Sequence, residues 1–350
     1  MSEEIQIRKL SIADAEQFQQ CFNAFDSRNY QLDHFHWQYG SNPAGSIQGY
    51  GAFFENQLSG IYIVSPVRFQ LGKDLLLATQ SMNTLTLPVL QGKGIFKRLA
   101  QKTYADLAGE GQVKFTYGFP NASSCHGFVK YLNWTLLDPV PFHFRLLRTS
   151  FLNKKLGISA RYFLGIPPLP LFPFRGPRYT IRPIQRIPSD VNHLWEAFRQ
   201  TYQIGLVRDE AYLRWRFEQR PATSYLFYEA RDQEDRLLGL AIMRMTDKHG
   251  GRLAYLMELM TLPQPCAVFA QLLSGVVRSA YEQGAEMIIA WIMEHHPYRR
   301  IFLRQGFLPL PRSFWPVDLH FGFTAHDPQF ASVLAKRSSW YLSYADSDTV

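Results

Sequence analysis

The chain has 350 residues, 46% hydrophobic and 19% charged, with a formal net charge of +8. That length suggests two domains of ordinary size, each able to bury a sizeable core. Cys21, Cys125 and Cys266 are too few and too scattered for a disulfide frame or a zinc site, which favours a reducing, cytoplasmic setting. The mixed-charge start MSEEIQIRKL does not read as a signal peptide, and there is no apolar run of about 18 residues to span a membrane.

The positive charge is concentrated. Residues 139–189 hold nine Lys and Arg and no Asp or Glu, so the rest of the chain is close to neutral. A basic surface spread over the whole molecule, as general nucleic-acid binding needs, is therefore not expected.

Ile5 to Leu10 predicts a short strand. Ser11 with Asp14 predicts a capped helix carrying Ala15, Phe18, Cys21, Phe22 and Phe25 at helical spacing. A second helical piece over Leu32 to Tyr39 stops at Asn42-Pro43. Strands follow at Tyr50–Glu55 and Ile61–Phe69, joined by a turn at Asn56–Gly60, and a third runs from Leu75 to Leu87. Next come the loop Gln91-Gly92-Lys93-Gly94, a helix to about Leu107, a strand at Val113–Phe119 and a helix at Ser123–Leu132; a further strand starts at Trp134. The central stretch is TLTLPVLQGKGIFKRLA, Thr84 to Ala100: strand, proline, glycine loop, helix. Glycines let the backbone approach a ligand, and the unpaired N–H groups of a first helical turn attract phosphate. The spacing fits neither a P-loop nor GxGxxG.

This loop resembles the acyl-CoA loop of the GNAT N-acyltransferase superfamily: Gln or Arg, two residues, Gly, one residue, then Gly or Ala. Gln91 and Gly94 fit, with Pro88 three residues ahead; Phe96 stands where Gly or Ala is usual. The element order also resembles a GNAT domain. The resemblance implies an α/β (α+β) fold, a mixed, mostly antiparallel sheet flanked by helices, with strands four and five splayed around the pantetheine. It implies acetyl-CoA or another acyl-CoA as co-substrate, without a metal. The contacts it implies are Leu85, Thr86, Leu87, Gln91, Gly92, Lys93, Gly94, Ile95, Phe96 and Asn121, with a backbone N–H at about Thr86 or Leu87 polarising the thioester.

The second half echoes the first. Trp215, Phe217 and Pro221 repeat Trp37, Tyr39 and Pro43 at an offset of 178; Thr261-Leu262-Pro263 repeats Thr86-Leu87-Pro88 at 175; Gly306-Phe307 matches Asn133-Trp134 at 173. Ordered matches of this kind predict a duplicated domain. The second copy has Gln264-Pro265-Cys266 in place of the glycine loop, and Pro265 removes an N–H donor, so it is expected not to seat a pyrophosphate. The expected layout is a GNAT domain at 1–149, a basic Pro-rich linker at 150–179 and a degenerate GNAT-like domain at 180–350. The chain resembles tandem GNAT proteins with one working copy.

The family's acid and base positions are not filled by the usual residues. Strand four of the first domain offers Ser81, Asn83, Thr84 and Thr86 but no carboxylate, and Val129 stands where a tyrosine acid is expected. Glu258, on the equivalent strand of the second domain, is a candidate base, set against a structural ion pair. His126 is a second candidate, set against a surface or capping role. Cys125 beside it has nothing to orient it as a nucleophile, and His295-His296 lacks a second ligand pair for a metal. The Trp37 and Trp215 motifs suit core packing more than an acceptor pocket, since both copies keep them. In the linker, Leu152, Leu156 and Phe163 with Lys154, Lys155 and Arg161 form a short basic amphipathic element that can touch an anionic membrane; an ordinary linker is the plainer reading. The expected function is acyl transfer to the amine of a small molecule, amino sugar or peptide. The alternatives are a non-catalytic acyl-CoA-binding module and a tandem aminoacyl transferase using charged tRNA.

Overall fold

The computed structural model describes residues 4–25, 29–151, 179–315 and 319–349. The predicted linker lies outside the described residues except at its ends, and with it the membrane reading of Lys154 and Lys155.

Two mixed sheets form the frame. The first is built from β1 (Gln6–Lys9), β2 (Gln48–Phe54), β3 (Gln57–Leu71), β4 (Asp74–Thr86), β5 (Val113–Gly118) and β6 (Thr135–Leu137). Ser11 and Asp14 form a capping box ahead of α1 (Ala15–Phe25), as their spacing predicts. The β2–β3 turn is tighter than predicted. Glu55 and Asn56 both take positive φ, 49° and 61°. That suits a two-residue hairpin loop, so Gln57 to Gly60 joins β3. Helices α2 (Ile95–Glu110) and α3 (Ala122–Leu132) follow β4 and β5.

The second sheet is built from β8 (Thr180–Ile184), β10 (Leu226–Arg231), β11 (Leu237–Lys248), β12 (Gly251–Thr261), β13 (Met287–Trp291) and β14 (Leu308–Pro309). Helices α4 (Val191–Phe198), α5 (Cys266–Glu282) and α6 (Arg299–Arg304) flank it. β4 and β12 end on the two Thr-Leu-Pro repeats, and Asn133 and Gly306 close α3 and α6 in the left-handed region (φ 55° and 81°).

The sheets do not divide at the linker. β7 (Phe142–Leu146) precedes the linker yet pairs with β13 and β14 of the second sheet. β15 (Phe321–Ala325) follows it yet lies between β5 and β6 of the first. Each half thus places a strand between the other half's fifth and sixth strands. β9 (Ile204–Leu206) also crosses over, pairing with β3. The boundaries 1–149 and 180–350 therefore cut through both sheets. The largest core cluster draws on both halves, with Phe69, Phe115 and Tyr117 packed among Phe142, Trp291 and Trp340.

The Trp repeats meet at the junction. Trp37 Nε1–H donates to the Trp215 carbonyl at 2.7 Å, and Trp215 Nε1–H donates to the Trp37 carbonyl at 3.0 Å. Their rings stack with centroids 5.1 Å apart. Residue i contacting j while j contacts i is the signature of a two-fold contact, here inside one chain.

A fragment of residues 1–149 keeps β7 but lacks the strand that joins β5 to β6. It is expected to show no cooperative thermal transition by circular dichroism, whereas the full chain does.

Candidate active site

In the first sheet β4 and β5 are parallel and pair only at Leu77↔Val113, Thr79↔Thr116 and Gln80↔Tyr117. Beyond Gln80 no further β4–β5 pair forms, so Ser81 to Thr86 run without β5 beside them. In this stretch β4 carries a bulge: Ile61 opposes Leu85 and Ile63 opposes Met82, leaving Asn83 and Thr84 both across from Tyr62. Asn83 sits at positive φ, 33°, and its amide donates to the Tyr39 hydroxyl. Bulges of this kind re-aim a strand and end its pairing.

The loop after β4 is exposed from Gln91 to Gly94. Gly92 and Gly94 have φ of 75° and 68°, and a Cβ built on either would meet nothing within 4 Å. The space above the loop is open and only glycine takes that backbone without strain. Gly94 caps α2, whose first turn carries Lys97 and Arg98 and no acidic residue. Those N–H groups and charges suit a pyrophosphate. Phe96 turns inward, 5.8 Å from the Tyr62 ring and 5.5 Å from Phe128. Gly127 on α3 makes room for it, since a Cβ there would lie 3.0 Å from the Phe96 ring.

Leu87 N–H donates to the Ser59 carbonyl at 2.8 Å and so is committed to β3. Antiparallel pairs alternate in the direction of their hydrogen bonds, which turns the N–H of Thr86 away from β3, toward the opening. Gln91 donates to the Thr86 carbonyl at 3.2 Å on that side. Asn121 caps α3 through Ser124 N–H at 2.9 Å.

Flanking the diverging part of β4 is a cavity of about 420 Å³. One wall is Gln80, Met82, Asn83, Thr84 and Leu85, with Asn121 beside them. Phe22, Tyr30, His34 and Trp37 of the first half face Tyr212, Trp215, Arg216 and Arg220 of the second, and Ser347 and Asp348 of the C-terminal segment complete it. Its size and mixed aromatic and polar lining are those of a small-molecule site. The Trp pair is core and cavity wall at once. Burial first, then Arg220 and Arg216, push the His34 imidazole down to about 4, so it is neutral at pH 7.

The second sheet repeats the splay without the opening. β12 and β13 pair only at Leu253↔Met287, Ala254↔Ile288 and Tyr255↔Ile289. The C-terminal segment spans the gap: Tyr344 stacks on Trp291 of β13 (centroids 4.5 Å apart) and meets Tyr255 of β12 edge-on at 5.4 Å. At the start of α5, Pro265 occupies the cap, and the nearby cavity is rimmed by Asp190, Asp232, Glu234 and Asp235 against Arg236. These carboxylates are in ion pairs with Arg182, Arg231 and Arg236, and the cap offers no glycine loop to a phosphate.

Glu258 stands where Asn83 stands in the first sheet, at the offset of 175 set by the Thr-Leu-Pro repeats. It is fully buried and accepts from Arg208, from the Tyr341 hydroxyl at 2.6 Å, from Ser343 at 2.8 Å and from its neighbour's N–H. Arg208, also fully buried, binds Asp346 as well. Glu258 is part of this structural network and does not line the cavity. His126 is exposed on α3 and does not line it either. The sequence reading missed Asp348, His34, Arg216 and Arg220. The Trp repeat was the one signal near three of them. His295 binds the Trp340 carbonyl and His296 packs against Phe302 and Tyr341; among the described residues no group of three or more His, Cys, Asp or Glu is placed to hold a metal. No described helix is long and apolar enough to cross a membrane.

Replacing Arg208 by Met leaves Glu258 and Asp346 buried without a cation. A loss of about 3–5 kcal/mol is expected, read by urea denaturation of the variant beside wild type.

Comparison with known proteins agrees with this geometry. Residues 6–136 match the sequence model of the acetyltransferase (GNAT) domain. No curated protein matches the chain by sequence. Among solved structures, a protein of Enterococcus faecalis V583 described as a probable N-acyltransferase superposes with a TM-score of 0.66 at 13% identity, covering 93% of this chain and 73% of that one. A GCN5-related N-acetyltransferase of Anabaena variabilis gives 0.62 at 12% identity, over 93% and 74%. The Saccharomyces cerevisiae N-myristoyltransferase with bound myristoyl-CoA gives 0.59 at 11% identity, over 92% and 79%. With the splayed strands and the glycine loop in place, residues 6–136 carry a GNAT acetyltransferase domain, and the chain as a whole shares its fold with these solved structures.

Proposed function

We propose that the chain is an N-acyltransferase that takes its acyl group from acetyl-CoA, seated on the first half, and passes it to the amine of a small molecule held between the halves. One observation carries this reading. The open glycine loop and the aromatic cavity flank the same stretch of β4, where β5 has turned away. A donor on the loop and an acceptor in the cavity would meet there, and holding two reactants in place can supply about 7–11 kcal/mol of the barrier.

Gln91, Gly92, Lys93, Gly94, Ile95 and Phe96 would hold the pyrophosphate through loop and first-turn N–H groups. Leu85, Leu87 and Asn121 would line the path of the pantetheine. The acyl group arrives activated as a thioester. The outward N–H of Thr86 would polarise its carbonyl. Asp348 is the one carboxylate among the described residues of the cavity wall, and it would take the amine proton. Glu258 and His126 are not needed.

A second reading, a module that holds acyl-CoA without turnover, is favoured by the absence of a carboxylate on β4 from Ser81 to Thr86. The two readings part at Asp348.

Calorimetric titration with acetyl-CoA is expected to give micromolar binding to wild type and at least about a hundredfold weaker binding to Gly94→Glu, which puts a bulky anion where the pyrophosphate belongs. Unchanged binding would move the donor out of the first half. Asp348→Asn should keep acetyl-CoA affinity and lose about a hundredfold in kcat/KM, in the range of general-base catalysis; a wild type that binds acetyl-CoA but transfers no acyl group in an amine screen would support the second reading.

A further inference from the structure

We infer that the second sheet carries an anion site at Arg145, where β7 passes beneath the turn that closes α6. Its ligand is a small oxyanion, either free phosphate or the phosphoryl group of a larger molecule. The site stands apart from the cavity and the glycine loop, and does not depend on the enzyme reading.

Arg145 is 6% exposed. Among the described residues it has no hydrogen bond, ion pair or ring contact, and its Nη1 is closed off from solvent without a partner. Burial lowers the guanidinium to about 10, and no carboxylate opposes the effect. A buried cation is ordinarily matched by an anion. The local sequence supplies none. Residues 139–189 hold no Asp or Glu, and neither do the sheet neighbours β13 and β14, nor α6. The carboxylates nearest to these elements in the chain are engaged elsewhere. Glu286 accepts from Ser150 and from Arg252 N–H, and Glu294 accepts from Arg337.

The surroundings add donors rather than acceptors of charge. Alternation along β7 puts His143 on the same face as Arg145. His143 is 2% exposed, and neither ring nitrogen has a hydrogen-bond partner, although the Pro141 carbonyl lies near. Burial, with Arg299 adding to it, holds the imidazole below its usual value. Arg299, Arg300 and Arg304 of α6 make no ion pair with a described residue, and Arg299 Nε is a further buried donor without a partner. Access is short. Gly306 is exposed, and a Cβ built on it would lie 3.8 Å from Arg145 Nε. The guanidinium thus lies about one atomic layer below the surface. An oxyanion there receives the charge-assisted bonds that a guanidinium fork makes best. Because it binds the folded arrangement of β7 against α6, it stabilises that arrangement by mass action.

The test is thermal unfolding of the full chain at fixed pH and ionic strength, in chloride and with about 50 mM phosphate, sulfate or glycerol phosphate in its place. Wild type is expected to melt at least about 2 °C higher with one of these oxyanions than in chloride. Arg145→Met should lose that rise; Arg145→Gln serves if the first variant does not fold. An oxyanion on the glycine loop would raise both proteins equally, so the difference between them reads this site alone. Glycerol phosphate acting more strongly than phosphate marks an organic ligand and the reverse a free anion, and either supports the site. No rise in wild type, or an equal rise in both proteins, would show that water alone serves Arg145 and would overturn the inference.

Discussion

Arg208 holds together what the site depends on. It is a guanidinium with no solvent contact, shared by a carboxylate on β12 and one on the C-terminal segment. Lone charges in such a place would be prohibitive, so the three groups stand or fall together. Once Asp346 is fixed, its carbonyl receives Gln80 at 3.1 Å and the Tyr117 hydroxyl at 3.1 Å, both from the first sheet. The next residue's carbonyl receives Arg216. The C-terminal segment is thereby drawn from the second splay to the first cavity, and Asp348 arrives at its wall. An interaction wholly in the second half shapes a cavity that both halves line.

The two halves thus use one architecture differently. Both sheets splay after three paired positions. In the first, open space lies over left-handed glycines; in the second, Tyr344 fills the splay and Pro265 takes the cap of α5. The place of Asn83 in one and Glu258 in the other shows the same divergence. A neutral amide at a bulge faces a cavity, whereas the carboxylate beside a register shift of β12, where Ile242 opposes Glu258 and Met243 opposes Leu256, is sealed by Arg208, Tyr341 and Ser343.

Local order was legible in the sequence because it is written locally. Ser11 with Asp14 marks a helix start, Thr-Leu-Pro marks two strand ends, and Gly92 with Gly94 mark a loop that needs positive φ. The loop's missing counterpart at Pro265 was equally plain. What could not be read was pairing over long distances. Phe321–Ala325 and Phe142–Leu146 are short apolar strands whose sequences say nothing about which sheet accepts them. Asp348 is an ordinary polar residue until the chain folds back. Glu258 was visible as an odd carboxylate among apolar neighbours, but its partner Arg208 is 50 residues away and carried no mark. Arg216 and Arg220 lie inside the Trp repeat, and nothing in its aromatic spacing marks which of its charges faces a cavity.

The crossing of β7 and β15 has a consequence for how the chain is made. A ribosome releases residues in order, and domains ordinarily fold as they emerge. Here β5 and β6 wait for a strand about two hundred residues later in synthesis. Until Phe321 to Ala325 emerge, the nascent first half carries unpaired strand edges, a state prone to wrong partners. Meanwhile β7 is already present and unpaired before β13 exists to receive it. Productive folding is therefore weighted toward the end of translation, and a chaperone that shields open sheet edges would act on this chain before release rather than after it.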